Sequence, residues 1–344
     1  STVLTDNTVV EMLYRHDPLE TSFCVYRDDT WTIQPEVVVS GTKYVPYSPS
    51  NNLLKHEVVL FPSEPEEYES EEALIAEIQS FIHRYVDVSP LFEQITAYYI
   101  LFSWVYDAFA ELPYLRVRGD YGCGKTRFLL ITGSLCYKPI FASGASTISP
   151  IFRILDVFRG TLIIDEGDFR MSDERAEIVK ILNNGNVKGF PVLRSEVTRD
   201  KEFKPTAFSV YGPKIVATRG DYQDPALESR FIKEEMGTRP LRDDIPINLP
   251  PAYKEEALHL RNQLLLLVLR NRNKRRIVEG LIDRSIEPRL NQIFVPLLSI
   301  IEDEEARKNL KDLARSYQRE MTTERGMDTE AQVLEVIHAL QEAG

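Results

Sequence analysis

The stretch Gly119-Asp120-Tyr121-Gly122-Cys123-Gly124-Lys125-Thr126 fits the pattern G-x-x-x-x-G-K-[ST] and restricts the fold more than any other part of the chain. Such a loop needs a buried strand before it and a helix after it. Tyr114-Leu115-Arg116-Val117-Arg118 reads as that strand, and Arg127-Phe128-Leu129-Leu130-Ile131-Thr132 as the first turns of that helix. Glycines let the backbone approach phosphate closely, so that consecutive N–H groups and the helix N-terminus bind negative charge. In this pattern Lys125 is expected to reach the β and γ phosphates of ATP, Thr126 to offer its hydroxyl to Mg²⁺, and Arg127 to flank the phosphates.

Forty residues past Lys125, Gly160-Thr161-Leu162-Ile163-Ile164-Asp165-Glu166 is an apolar run ending in two carboxylates. A parallel strand buried on both faces looks like this, and its C-terminal end delivers acids to the crevice where open α/β sheets bind ligands. Asp165 is expected to hold the metal through water. Glu166 is expected to take a proton from, or orient, the attacking water. Together the two motifs predict nucleoside triphosphate hydrolysis in an α/β P-loop core.

The 344 residues suffice for two or three domains, and a net charge of −12 excludes a uniformly basic nucleic-acid coat while leaving room for a local basic channel. Cys24, Cys123 and Cys136 form no C-x-x-C pair, which argues for a reducing compartment and against a zinc site or disulfide framework. The longest apolar stretch, Tyr98 to Tyr106, falls well short of the roughly 20 residues of a membrane span, and no signal peptide is visible. A cytoplasmic protein is expected.

Residues 1–63 alternate β-rich runs (Ser22 to Tyr26, Glu36 to Val39, Val58 to Phe61) with turn clusters, and read as a small β-containing module whose role is not legible. The acidic run from Glu64 to Glu72 reads as a solvated hinge and helix N-terminus rather than a binding tail. Two helices complete a linker over 64–110, the second opened by Ser89-Pro90 and carrying an aromatic stripe suited to packing against the next domain. The ATPase core is placed at 111–250. After Asp165-Glu166 a helix from Ser172 to Gly185 is followed by two predicted strands, Phe190 to Arg194 and Thr206 to Tyr211, around the polar segment Ser195 to Pro205. Over 186–206, Lys188, Arg194, Arg199, Lys201 and Lys204 stand against three acids. In an acidic chain this inversion suggests a hairpin facing phosphate, with an ordinary solvated hairpin as the alternative. The next core strand, Lys214 to Thr218, ends at a hydroxyl placed to sense the γ-phosphate.

With Asp224-Pro225-Ala226-Leu227-Glu228-Ser229-Arg230-Phe231 the order of elements resembles an AAA+ ATPase, in which Arg230 matches the arginine finger offered to a neighbouring subunit's nucleotide. More narrowly, Leu112 to Leu115, Gly122 to Thr126, Ile181 to Gly185, Val192 to Arg194, Gly212 to Lys214 and Leu227 to Arg230 resemble plasmid, phage and mobile-element ATPases related to MCM-like and superfamily III helicases. The resemblance spans about residues 90 to 320. It implies an AAA+ core with a pre-sensor-1 β-hairpin that contacts DNA in a hexamer's channel, with Arg199 and Lys201 near its tip. It also implies a helical lid over 251–325 in which Arg289 is sensor 2, and a winged-helix module that begins at 326–344 and continues past it. Thr218 departs from the asparagine common at sensor 1.

The basic run Arg270, Arg272, Lys274, Arg275 and Arg276 reads as a solvated face or a phosphate contact, with the former preferred, and helices are expected near 303–320 and 328–342. Two functions follow: a DNA-translocating hexameric motor, or an AAA+ switch or remodeller acting on a protein partner. The small, polar loop after Phe141 favours the motor, since a protein-threading ring carries an aromatic pore motif there. A P-loop kinase would leave the hairpin and Arg230 without purpose. Cys123, a thiol inside an anion-binding loop, is expected to be reactive.

Overall fold

The computed structural model describes residues 2–4, 8–143, 147–165, 172–197 and 203–342; Glu166, Arg199 and Lys201 lie outside them. The amino-terminal module is a four-stranded antiparallel sheet of Thr2–Val3 (β1), Val9–Arg15 (β2), Glu20–Arg27 (β3) and Thr30–Gln34 (β4), in that order. Alternation along β3 turns Ser22, Cys24 and Tyr26 inward. A hairpin of Val37–Val39 (β5) and Thr42–Tyr44 (β6) and a single helical turn, Asn52–Lys55 (α1), follow.

Val58 to Phe61, expected as a strand, makes only one antiparallel bridge among the described residues, Val59 to Ile140. The Phe141 N–H donates to the Val58 carbonyl at 3.2 Å, and the Leu60 N–H donates to that of Pro139 at 3.4 Å. The segment therefore lies along the core instead of extending the module's own sheet. Buried residues of the module join the same contiguous apolar cluster as the core, from Val9 through to Ala314. Glu11, 2% exposed, anchors this junction. It pairs with Lys138 at 2.7 Å and accepts from the Tyr137 hydroxyl at 2.8 Å.

Glu71–Tyr85 (α2) starts at Ser70, whose side chain accepts from the Ala73 N–H, and Pro90–Val105 (α3) starts at Ser89 with proline at its first position. The aromatic stripe of α3 is buried nearly all round. Its Tyr99 hydroxyl accepts from the Lys214 N–H and donates to the Lys214 carbonyl, both at 3.0 Å.

The centre of the molecule is a five-stranded, all-parallel sheet of Tyr114–Arg118 (β7), Ile140–Ser143 (β8), Leu162–Asp165 (β9), and, after an inserted hairpin, two more strands. The hairpin pairs Val192–Val197 (β10) with Phe203–Phe208 (β11), after which come Lys214–Thr218 (β12) and Phe231–Glu235 (β13). Across the sheet the order is β13-β7-β12-β9-β8. Helices Lys125–Leu135 (α4), Ile148–Phe158 (α5), Ser172–Asn184 (α6) and the short Pro225–Glu228 (α7) connect the strands. Both hairpin strands reach further into the charged segment than their sequence suggested: Ser195 pairs with Pro205 and Val197 with Phe203. A two-stranded ribbon with a solvent face tolerates such residues, and proline is admissible because an edge position leaves its missing donor unclaimed.

Three longer helices follow the sheet, Tyr253–Asn271 (α8), Pro288–Leu298 (α9) and Glu304–Glu342 (α10). One continuous helix replaces the two expected near 303–320 and 328–342. The single Gly326 between them costs only about 1 kcal/mol inside a helix. Two charge runs read as solvated instead find each other across about 200 residues. Arg270 forks onto Glu67 at 2.7 and 2.8 Å, Arg275 pairs with Glu71, and His259 lies against Glu66. Acidic hinge and basic helix end together fasten the linker to α8. Among the described residues no helix is long and apolar enough to cross a membrane.

Candidate active site

The strand order sets the site. In the sheet β12 lies between β7 and β9, with Thr218 beside Arg118 and Ala217 beside Asp165. The loop Gly119 to Gly124, the end of β12 and the end of β9 thus open on the same, C-terminal edge.

Gly119 has φ +156° and no room for a side chain: a Cβ there would meet the Met236 carbonyl oxygen at 2.5 Å and Cys123 Sγ at 2.8 Å. Gly124, at φ +94°, turns the chain into α4. The Lys125 ammonium folds back over the loop and donates to the carbonyls of Gly119 at 2.5 Å and Asp120 at 2.7 Å. Cys123 Sγ donates to the Asp120 carbonyl at 3.0 Å. Thr126 Oγ1 donates to Asp165 Oδ2 at 2.7 Å, so the two residues proposed from sequence for Mg²⁺ meet although 39 positions apart. Thr218 Oγ1 is buried between these elements with no hydrogen-bond partner among the described residues. An orphaned hydroxyl, a glycine cradle and a hydroxyl–carboxylate pair form a donor set that fits a triphosphate with a hard, oxygen-binding cation.

A cleft of about 790 Å³ extends from the loop between residues 85–89 and 234–247, within the size range of small-molecule sites. Its walls are fixed by polar clamps. Glu234 accepts from the Ser89 N–H at 2.7 Å and its hydroxyl at 2.9 Å, and Asp87 accepts from the Arg242 N–H at 3.0 Å and from Arg239 at 2.7 Å. Arg127 donates to the carbonyls of Pro246 and Ile247, holding the far wall rather than facing the loop. Val86, Val88, Met236, Leu241 and Ile245 give the cleft an apolar surface. Tyr121 is 77% exposed, and the Arg219 guanidinium stacks on its ring at 3.8 Å. Sequence reading passed over Arg219; its signal is a cation immediately after a strand end at the ligand edge.

Arg230 and Arg289 lie elsewhere. Phe231 pairs with Tyr114, the first residue of β7, so Arg230 stands about 20 Å along the strands from Gly119, at the opposite end of the sheet. It donates to Asn183 Oδ1 and, at 3.3 Å, to the Leu182 carbonyl. Burial, followed by the nearby Arg289 charge, lowers its pKa. Arg289 donates to Ser229 Oγ at 3.3 Å and the Ala226 carbonyl at 3.1 Å. The two arginines share one surface, apart from their own chain's P-loop.

Of the hairpin cations, Arg194 pairs with Glu177 and lies over the Phe152 ring at 5.1 Å, and Lys188 donates to the Asp107 carbonyl. Lys204 is exposed on β11. Two buried cations in the core strands escaped sequence reading. Arg116, fully buried, forks onto Glu228, pairs with Asp221 at 2.7 Å and lies 5.5 and 5.2 Å from the ring centroids of Tyr222 and Phe231. Lys214, also fully buried, donates to the carbonyls of Val210 at 2.8 Å, Gly212 at 2.9 Å and Gly185 at 3.3 Å. Burial and, secondarily, the Arg230 charge hold its pKa well below the usual lysine range. This contact also explains Gly185, where a Cβ would lie 2.2 Å from Lys214 Nζ.

No protein-family model matches the chain, and no curated protein does. Solved structures do. The apo structure of the NrS-1 C terminal region is 11% identical with a TM-score of 0.38, over 89% of this chain and 72% of that one. A full-length MCM homolog from Methanopyrus kandleri is 13% identical with a TM-score of 0.35, over 79% and 61%. An inhibitor-bound JCV helicase is 15% identical with a TM-score of 0.30, over 58% and 54%.

Proposed function

We propose that this chain is an Mg²⁺-dependent ATP hydrolase that works as a DNA-translocating motor of the helicase type. The observation that carries the hydrolase reading is the Thr126–Asp165 contact beneath the glycine loop. Those two residues would hold Mg²⁺, which when bound neutralises phosphate charge and orients the β and γ oxygens. Lys125, now on loop carbonyls, would exchange them for phosphate oxygens. The Thr218 hydroxyl would gain the partner it lacks, and the Val86, Val88 and Met236 side of the cleft would take the base. Glu166, next in sequence to Asp165, would orient or deprotonate the attacking water.

Strand β12 supports the motor reading. It has Thr218 at its ATP end, while Lys214 at its other end clasps both roots of the hairpin, so a shift of the strand would carry to the hairpin. Lys188, Lys204, Arg199 and Lys201 are the proposed DNA contacts, with Arg194 available only if it leaves Glu177. Arg230, far from its own loop, would act on a neighbour's ATP, with Arg289 on the same surface; a hexameric ring of mobile-element origin is the assembly this reading takes from the sequence resemblance.

The test is steady-state ATP hydrolysis across protein concentration, with and without single-stranded DNA at low salt, with Glu166→Gln as blank. Stimulation by DNA that fades with salt and in Arg199→Ala/Lys201→Ala is the expected result. Hydrolysis that rises with protein concentration but ignores DNA would replace the motor by a remodeller of a protein partner.

A further inference from the structure

We propose that a second cavity, at the opposite edge of the parallel sheet from the P-loop, binds a phosphodiester of single-stranded nucleic acid at the root of the hairpin, with Arg159 as its anchor. The proposal rests on the nucleic-acid reading above and gives that ligand a seat away from the hairpin tip.

The cavity measures about 610 Å³ and is lined by segments that precede the N-terminal ends of β8, β9 and β12, together with the two hairpin roots at Lys188-Gly189 and Ser209. Four cations, Lys138, Arg159, Lys188 and Arg272, face two carboxylates, Asp107 and Asp156, in a chain whose net charge is −12. Three of the cations are engaged. Lys138 pairs with Glu11, Arg272 with Asp107, and Lys188 donates to the Asp107 carbonyl. Asp156 is occupied too, accepting from the Ser209 N–H at 2.8 Å. Arg159 is exposed and forms no ion pair with any described residue. An anion entering the cavity therefore meets one uncommitted guanidinium with no uncommitted carboxylate opposite, and a guanidinium binds phosphate through paired N–H donors.

The backbone points to the same residue. Six described residues other than glycine have positive φ; four lie within the first 57 residues, and the other two, Lys138 at 41° and Arg159 at 51°, both line this cavity. Arg159 ends α5 in the left-handed conformation, the position where glycine is the ordinary and least strained residue. A cation kept where glycine fits best suggests that its side chain is used. The helix dipole also favours a positive charge there, which Arg159→Lys preserves. Because Lys188 and Ser209 are the hairpin's two roots, a strand held here would be gripped where Lys214 ties the hairpin to β12.

The experiment is fluorescence anisotropy of a fluorescein-labelled single-stranded oligo(dT) with the full chain at several salt concentrations, comparing wild type, Arg159→Gly and Arg159→Lys, each with a melting curve. Arg159→Gly should weaken binding about fivefold or more and lower the salt slope by about 1, while its melting temperature holds or rises because glycine relieves the left-handed turn. Arg159→Lys should bind within about twofold of wild type. Wild-type affinity and slope in Arg159→Gly would overturn the proposal and leave the motor reading standing. Failure of the wild type to bind the oligonucleotide at all would overturn both. Calorimetric binding of pyrophosphate that depends on Arg159, with oligonucleotide affinity unchanged, would make this a small-anion site and overturn the nucleic-acid assignment.

Discussion

Glu11 offers a sharp test of how the amino-terminal module is held. Burial by itself would raise the pKa of its carboxyl, but nearby positive charge, that of Lys138 first, outweighs burial and brings it down to about 2. Against an ordinary value of 4.5, this difference corresponds to about 3 kcal/mol of stability at neutral pH. Since the folded-state pKa is depressed, that stability is fully present above the unfolded value and is lost as pH falls toward 2. By linkage less than half of it, about 1 kcal/mol, is left near pH 3. Glu11→Gln should therefore cost about 3 kcal/mol at pH 7, read as a lowered urea midpoint, because it leaves the Lys138 ammonium without its carboxylate at a largely buried position. The gap between wild type and variant should narrow between pH 5 and pH 3. Replacing both partners, Glu11→Gln with Lys138→Met, should recover part of the loss. A cost below about 1 kcal/mol at pH 7, or a gap that stays constant with pH, would refute the reasoning.

Two further outcomes bear on the site. Alkylation of Cys123, whose thiol sits inside the loop against the Asp120 carbonyl, should abolish nucleotide binding measured with a fluorescent ATP analogue, and ATP should protect it; modified protein that still binds would contradict the placement. Arg230→Ala should lower hydrolysis about 10³-fold without loss of ATP binding, and mixing it with Lys125→Ala subunits should restore activity at interfaces that join an intact loop to an intact arginine. Unchanged hydrolysis in Arg230→Ala would remove the trans role.

The glycine loop and the strand ending in Asp165 were legible in the sequence because each demands particular residue types in a fixed local order. So were the caps at Ser70 and Ser89, which act within one turn. What escaped is long-range. Arg116 and Lys214 read as ordinary members of apolar strands, because nothing near them in sequence reveals Asp221, Glu228 or the carbonyls that receive them. The pairing of Glu67 and Glu71 with Arg270 and Arg275 has no local period, and each run taken alone looks like solvated surface. The hairpin strands were placed a few residues too far from the turn for a related reason: a ribbon with one wet face does not need the alternation by which strands are recognised. Arg289 was assigned from its place at a helix start, but only the tertiary fold shows which end of the sheet that helix start faces.

The bridge from Val59 to Ile140 has a practical consequence for anyone shortening the chain. It lies along the outer side of β8, the last strand of the parallel sheet, and occupies backbone groups that a trimmed protein would leave open. A version begun at the linker would keep every residue of the nucleotide site and still present an unpaired row of donors and acceptors to its neighbours, together with the apolar surface on which the module rests. Such a fragment would fail by self-association rather than by loss of chemistry. The first 63 residues thus belong in any preparation meant to report on the ATPase alone.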